Sequence, residues 1–86
     1  MPNIKQQEKR VRSAARQRLE NLRYRSTVKT LTRRLESAVA DRDDKGIRAA
    51  HLELQRWIDR AASRGALHRN AAARKKAQAA RIASRG

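Results

Sequence analysis

Eighty-six residues with 23 Lys and Arg against eight Asp and Glu, a formal net charge of +15, allow one small domain. The lack of cysteine excludes a disulfide framework and thiolate metal sites, two well-separated histidines do not make a zinc site, and no uncharged run is long enough to span a bilayer. So large a charge raises association with nucleic acid or anionic membrane while working against a compact monomer, and free-standing enzymes seldom carry it.

The charge is unevenly distributed. Residues 1–26 carry eight basic side chains against Glu8 and Glu20, residues 27–60 carry eight against six acids, and residues 61–86 carry seven with no acid at all. Two cationic ends flank a nearly balanced middle. Sixteen of the hydrophobic residues are Ala, so the core must be built from few larger side chains. The start, Met-Pro-Asn-Ile-Lys, lacks the apolar run of a secretory leader, and the chain is expected to be soluble and cytoplasmic.

Ala, Arg, Leu, Lys and Gln dominate, and aromatic and β-branched residues are few, so the composition predicts helix throughout. With Pro2 at the start and Gly46, Gly65 and Gly86 as punctuation, three helices are expected, near 5–40, 44–64 and 68–84.

At 100° per residue, the first helix changes its apolar face near residues 22–24. Val11, Ala15, Leu19 and Leu22 share one face, whereas Tyr24, Val28, Leu31, Leu35, Ala38 and Val39 share another. Only the second half is expected to pack in a bundle, with the first half extending beyond it. Lys5, Lys9, Arg12, Arg16 and Arg23 form one basic stripe, and Arg18, Arg25, Lys29 and Arg33 form a second on roughly the opposite side. A helix lying on a membrane needs one apolar and one basic face. This pattern suits insertion between two nucleic-acid surfaces better, although a merely solvated charged helix is the bland alternative.

A turn over residues 40–46 leads to the second helix, in which Ile47, Ala50, His51, Leu54, Ile58 and Ala61 follow the helical repeat and should pack on the Tyr24–Val39 face as a hairpin. Asp41, Asp43 and Asp44 have no metal-ligand spacing; Asp43 or Asp44 reads as an N-cap. His51 reads as a packed residue, without a Ser, Cys or second His near it in sequence. Trp57 and Tyr24 read as core anchors rather than base-stacking groups, since two aromatics do not make a multi-base platform. Gly65 suits the left-handed position closing the helix, and Leu67 can tuck into the hairpin. In the third helix Arg74, Arg81 and Arg85 share a stripe, and the many alanines keep the surface slim.

The run Asp59-Arg60-Ala61-Ala62-Ser63-Arg64-Gly65-Ala66-Leu67-His68-Arg69-Asn70-Ala71-Ala72-Ala73-Arg74-Lys75-Lys76 resembles the C-terminal signature of the bacterial small-subunit ribosomal protein S20 family. Asp59, Arg64-Gly65, His68-Arg69-Asn70 and Ala72-Ala73-Arg74-x-Lys76 match its order, and Asn3-Ile4-Lys5 with Lys9-Arg10, and Asn21 with Arg25-Ser26 and Lys29-Thr30, agree as well. Gln6-Gln7-Glu8 departs from the family pattern, as do His51 and Trp57. The resemblance implies an all-α three-helix bundle that binds 16S ribosomal RNA early in small-subunit assembly, in its 5′ domain and at the long penultimate stem. It implies no cofactor, metal, membrane or small-molecule substrate, and other ribosomal components only as neighbours.

Charge and resemblance together assign phosphate contacts to Lys5, Lys9, Arg10, Arg12, Arg16, Arg18, Arg23, Arg25 and Lys29, with Arg33 on the same stripe as the last two. Arg69, Arg74, Lys75 and Lys76 would act from the third helix. Asn3, Ser26, Thr30, His68 and Asn70 complete the expected RNA-binding set, with His68 and Asn70 able either to donate to RNA or to cap the helix. The expected division is a basic extension over 1–22, a hairpin core over 23–67 and a basic C-terminal helix over 68–86. Free of RNA, the extension and tail are expected to fray. A DNA-compacting protein and a membrane-active amphipathic peptide are the other classes that composition allows.

Overall fold

A computed structural model describes residues 4–85. Its elements are α1 (Ile4–Ala40), α2 (Asp44–Ser63) and α3 (Arg69–Ser84), and no strand occurs among the described residues. The chain measures 61 × 21 × 13 Å, because α1 runs well past its neighbours.

The change of apolar face along α1 sets this shape. Every residue from Ile4 to Glu20 is exposed, and Val11, Leu19 and Leu22 remain 69, 51 and 60% accessible. From Tyr24 onward the other face turns inward, with Val28, Leu31 and Leu35 buried against Ile47, Leu54, Ile58 and Ala61 of α2. Leu35, Leu54 and Ile58 are the largest fully buried side chains. At about 1.5–3 kcal/mol for each such side chain, this seam supplies most of the hydrophobic stabilisation. His51 is half-buried and accepts from the Gln55 amide at 3.2 Å, so it is a packed residue with a satisfied ring nitrogen. The third helix adds Ala72, Ala79 and Ile82 to the core. Its alanines thus also serve close approach within the bundle, while Ala73, Ala77 and Ala80 stay exposed.

Both connections close a helix with the same hydrogen-bond pattern. After α1, Asp43 N donates to Ala38 O and Arg42 N to Val39 O, and Arg42 takes φ 55°. After α2, Ala66 N donates to Ala61 O and Gly65 N to Ala62 O, and Gly65 takes φ 77°. These are Schellman closures, which favour glycine in the left-handed position. Gly65 meets that preference; Arg42 does not.

The expected 40–46 turn is correspondingly shorter. Gly46 lies inside the first turn of α2, where its backbone N–H donates to Asp43 Oδ1 at 3.1 Å. A Cβ there would stand 2.9 Å from Asp43 Cγ, so glycine gives the capping carboxylate room. The Asp43 N-cap is therefore the role of this acid.

Candidate nucleic-acid interface

Each basic stripe of α1 leads into a different groove of the bundle. The stripe Lys5, Lys9, Arg12, Arg16 and Arg23 runs toward a cleft of about 640 Å³ between α1 and α2, walled by Glu20, Arg23, Tyr24, Thr27, Trp57 and Arg64. A smaller hollow of about 250 Å³ adjoins it and brings in Arg34. The second stripe continues as Arg25, Lys29 and Arg33 into a groove of about 600 Å³ between α1 and α3, where Lys75 faces them. Further along, Arg74, Lys75 and Arg81 of α3 and Arg85 just after it line another hollow, with Glu36 of α1. Cations outnumber acids in both grooves beside α1, with Glu20 in the first and Glu36 in the second, and such net positive charge in a groove concentrates counter-charge.

The individual side chains divide by their local bonds. Lys5, Lys9, Arg12, Arg16, Arg18 and Arg23 are exposed along the extension. Arg10 is exposed too but falls on neither stripe; by helical spacing it continues the core face beyond the end of the bundle. Arg25 Nε donates to Ala66 O at 3.0 Å, tying α1 to the loop before α3, so this arginine has a structural duty as well. Thr30 Oγ1 donates to Ser26 O at 2.9 Å, and its oxygen retains acceptor capacity toward a partner. Asn3 lies outside the described residues.

At the start of α3, His68 is the N-cap: its Nδ1 accepts from Asn70 N at 3.1 Å. That bond places the ring proton on Nε2, leaving an exposed donor beside the positive end of the helix. Capping and donation outward are thus compatible in one side chain. Arg69, Arg74 and Lys75 are exposed. Lys76 instead reaches across to Asp59 of α2, Nζ to Oδ1 3.0 Å. With side-chain exposures of 42 and 61%, this is a pair that water screens.

Four cations that line the grooves escaped the sequence reading as site residues: Arg34, Arg64, Arg81 and Arg85. Arg34 was findable, since it follows Arg16 and Arg23 on the same stripe at helical spacing. Arg64 carried no such signal, because only the α1–α2 packing brings it beside Arg23. Tyr24 and Trp57 are half-buried against the core, as anchors should be, yet they also wall the α1–α2 cleft.

Fold and surface together define a small, all-helical, strongly cationic protein whose longest helix is flanked by two basic grooves. Among the described residues no three His, Asp or Glu side chains assemble a metal site, and no helix is long and apolar enough to cross a membrane. Residues 2–84 match the family model described as Ribosomal protein S20. Proteins named small ribosomal subunit protein bS20 are similar along the whole chain. That of Cyanothece sp. is 44% identical, covering 99% of this chain and 93% of its own. That of Heliobacterium modesticaldum is 42% identical, covering 91 and 89%, and that of Anaeromyxobacter dehalogenans 39%, covering 99 and 92%. The chain belongs to the ribosomal protein S20 family, a structural component of the small ribosomal subunit rather than an enzyme, located in the ribosome in the cytoplasm.

Proposed function

We propose that this chain binds 16S ribosomal RNA directly and, through Lys and Arg contacts to phosphates, stabilises its folding during small-subunit assembly. The observation that carries the reading is the continuity of each α1 stripe with a basic groove on its own side of the helix. A helix basic on one flank would lie along one RNA segment; one basic on both holds two segments together and neutralises their mutual repulsion. In this reading those segments lie in the 5′ domain and the long penultimate stem.

In this reading residues 1–22 form the inserted arm, 23–67 the hairpin that sets its direction, and 68–86 the second basic element. Arg12, Arg16 and Arg23 serve one segment, and Arg25, Lys29, Arg33 and Lys75 the other. Phosphate contacts supply affinity and register. Selectivity then comes from RNA shape, since the narrow major groove of duplex RNA hides its base edges.

Binding to a folded 16S 5′-domain fragment, measured against salt, tests this. Each phosphate neutralised contributes about 0.7–0.9 to the log–log slope. The fragment should bind well above random duplex RNA and duplex DNA. Equal affinity for the three would overturn the reading, and tighter binding to DNA would favour a DNA-compacting protein.

A further inference from the structure

The cleft between α1 and α2 differs in chemistry from the groove on the other side of α1. Two aromatic side chains and Leu22 line the cleft. Tyr24 and Trp57 stand with ring centroids 5.7 Å apart and planes at 55°, so the two rings diverge rather than stack. Trp57 is half-buried and walls both the larger hollow and the adjoining one, which also share Ser26 and Thr27. At about 640 Å³ the larger hollow falls within the usual range of ligand pockets, roughly 300–1,000 Å³.

The rim is polar in a specific sense. Arg23 and Arg64 line the cleft together with the two rings, while the Arg60 guanidinium, outside that lining, lies over the Trp57 ring 5.5 Å from its centroid. Thr27 Oγ1 donates its proton to Arg23 O at 2.8 Å, which leaves that oxygen as an acceptor; the carboxylate of Glu20 is a second acceptor. The complement of this cleft is a flat ring with N–H donors on its edge, attached to an anionic chain. An aliphatic guest would leave the acceptors unmatched, and an isolated anion would have no use for the aromatic wall.

We propose that the Tyr24–Trp57 cleft receives an unpaired nucleobase swung out of the RNA segment that lies along the Arg23 flank of α1. The ring packs on Trp57, amino or imino protons meet Thr27 and Glu20, and the flanking phosphates meet Arg23 and Arg64. Phosphate binding along α1 is indifferent to local RNA structure; this cleft would make one flank selective for a bulged nucleotide, while the α1–α3 groove remains a reader of backbone. The proposal rests on the RNA-binding reading above.

Trp57 is the single tryptophan of the chain, so its fluorescence reports this cleft alone. The intact protein is titrated with a short RNA duplex and with the same duplex carrying one central unpaired adenosine. Stacking on an aromatic side chain implies about fivefold tighter binding or more for the bulged duplex, with quenching that the perfect duplex does not produce. Trp57→Leu, checked for helix content, should bring the bulged RNA to the affinity of the perfect one while leaving the latter unchanged. Equal affinities with no bulge-specific quenching in the wild-type protein overturn the cleft proposal, whatever the variant does, and leave RNA binding standing. Failure to bind either duplex where the 16S 5′-domain fragment does bind overturns the cleft proposal alone; failure to bind that fragment as well overturns both.

Discussion

Arg25 on α1 and Ala66 in the α2–α3 loop are 41 residues apart in sequence, yet the arginine Nε donates to the alanine carbonyl at 3.0 Å. The loop they fix contains Gly65 and leads directly to His68, the cap of α3. One side chain thereby links the direction of the basic arm to the placement of the third helix. Lys in its place keeps the charge but lacks the Nε–H geometry. Arg25→Lys should destabilise by about 0.5–1.5 kcal/mol, read by thermal melting, and speed amide exchange at Leu67–Asn70. Unchanged exchange there would show the contact to be dispensable.

The two Schellman closures predict opposite effects for two substitutions. At Arg42, φ 55°, Arg42→Gly should stabilise by about 1 kcal/mol, because the left-handed conformation costs an L-residue roughly that much. At Gly65, φ 77°, Gly65→Ala should destabilise by a similar amount although no atom obstructs the added Cβ. Melting of both variants under one buffer condition measures the pair.

Leu35 and Ile58, both fully buried, face each other's helices in the α1–α2 seam. Leu35→Ala or Ile58→Ala should cost about 2–5 kcal/mol. In a chain this small that is much of the total stability, so both variants should show strongly reduced helix content by circular dichroism, while Val11→Ala, on the exposed arm, should not.

Asp59 and Lys76 are paired but wet. Asp59→Asn should change stability by less than about 1 kcal/mol, and the difference should vanish at high salt. A loss that persists in high salt would mean that the pair orients α3 in a way that screening cannot replace.

The arm has no tertiary packing to hold it, since residues 4–20 are all exposed. Amide exchange without RNA should therefore be fast up to about Glu20 and slow from Val28, and RNA should protect the arm. Uniform protection of α1 in the free protein would contradict this.

Much of the fold was legible because local chemistry and long-range packing agree. The switch of apolar face at residues 22–24 announced where α1 leaves the bundle, Asp43 or Asp44 announced a helix start that the structure assigns to Asp43, and Gly65 announced a helix end. The end of α1 at residue 40 was legible too, but not its geometry: an arginine such as Arg42 carries no signal for a left-handed turn, and Gly46 suggested a turn extending further than it does. In the candidate site, the stripes were readable from helical spacing alone. What they lead into was not. The Arg23–Arg64 and Lys29–Lys75 juxtapositions arise only from helix packing, as does the Lys76–Asp59 pair, which engages a lysine that sequence alone would leave for phosphate.

The central claim, that α1 lies between two RNA segments and holds them together, can be tested by directed hydroxyl-radical cleavage. The chain has no cysteine, so Glu53→Cys beside the α1–α2 cleft and Gln78→Cys beside the α1–α3 groove each provide one attachment point for an iron chelate. Bound to 16S ribosomal RNA, the two derivatives should cut separate segments of the RNA, with little overlap. Cleavage of one and the same segment from both positions, or from only one of them, would contradict the account.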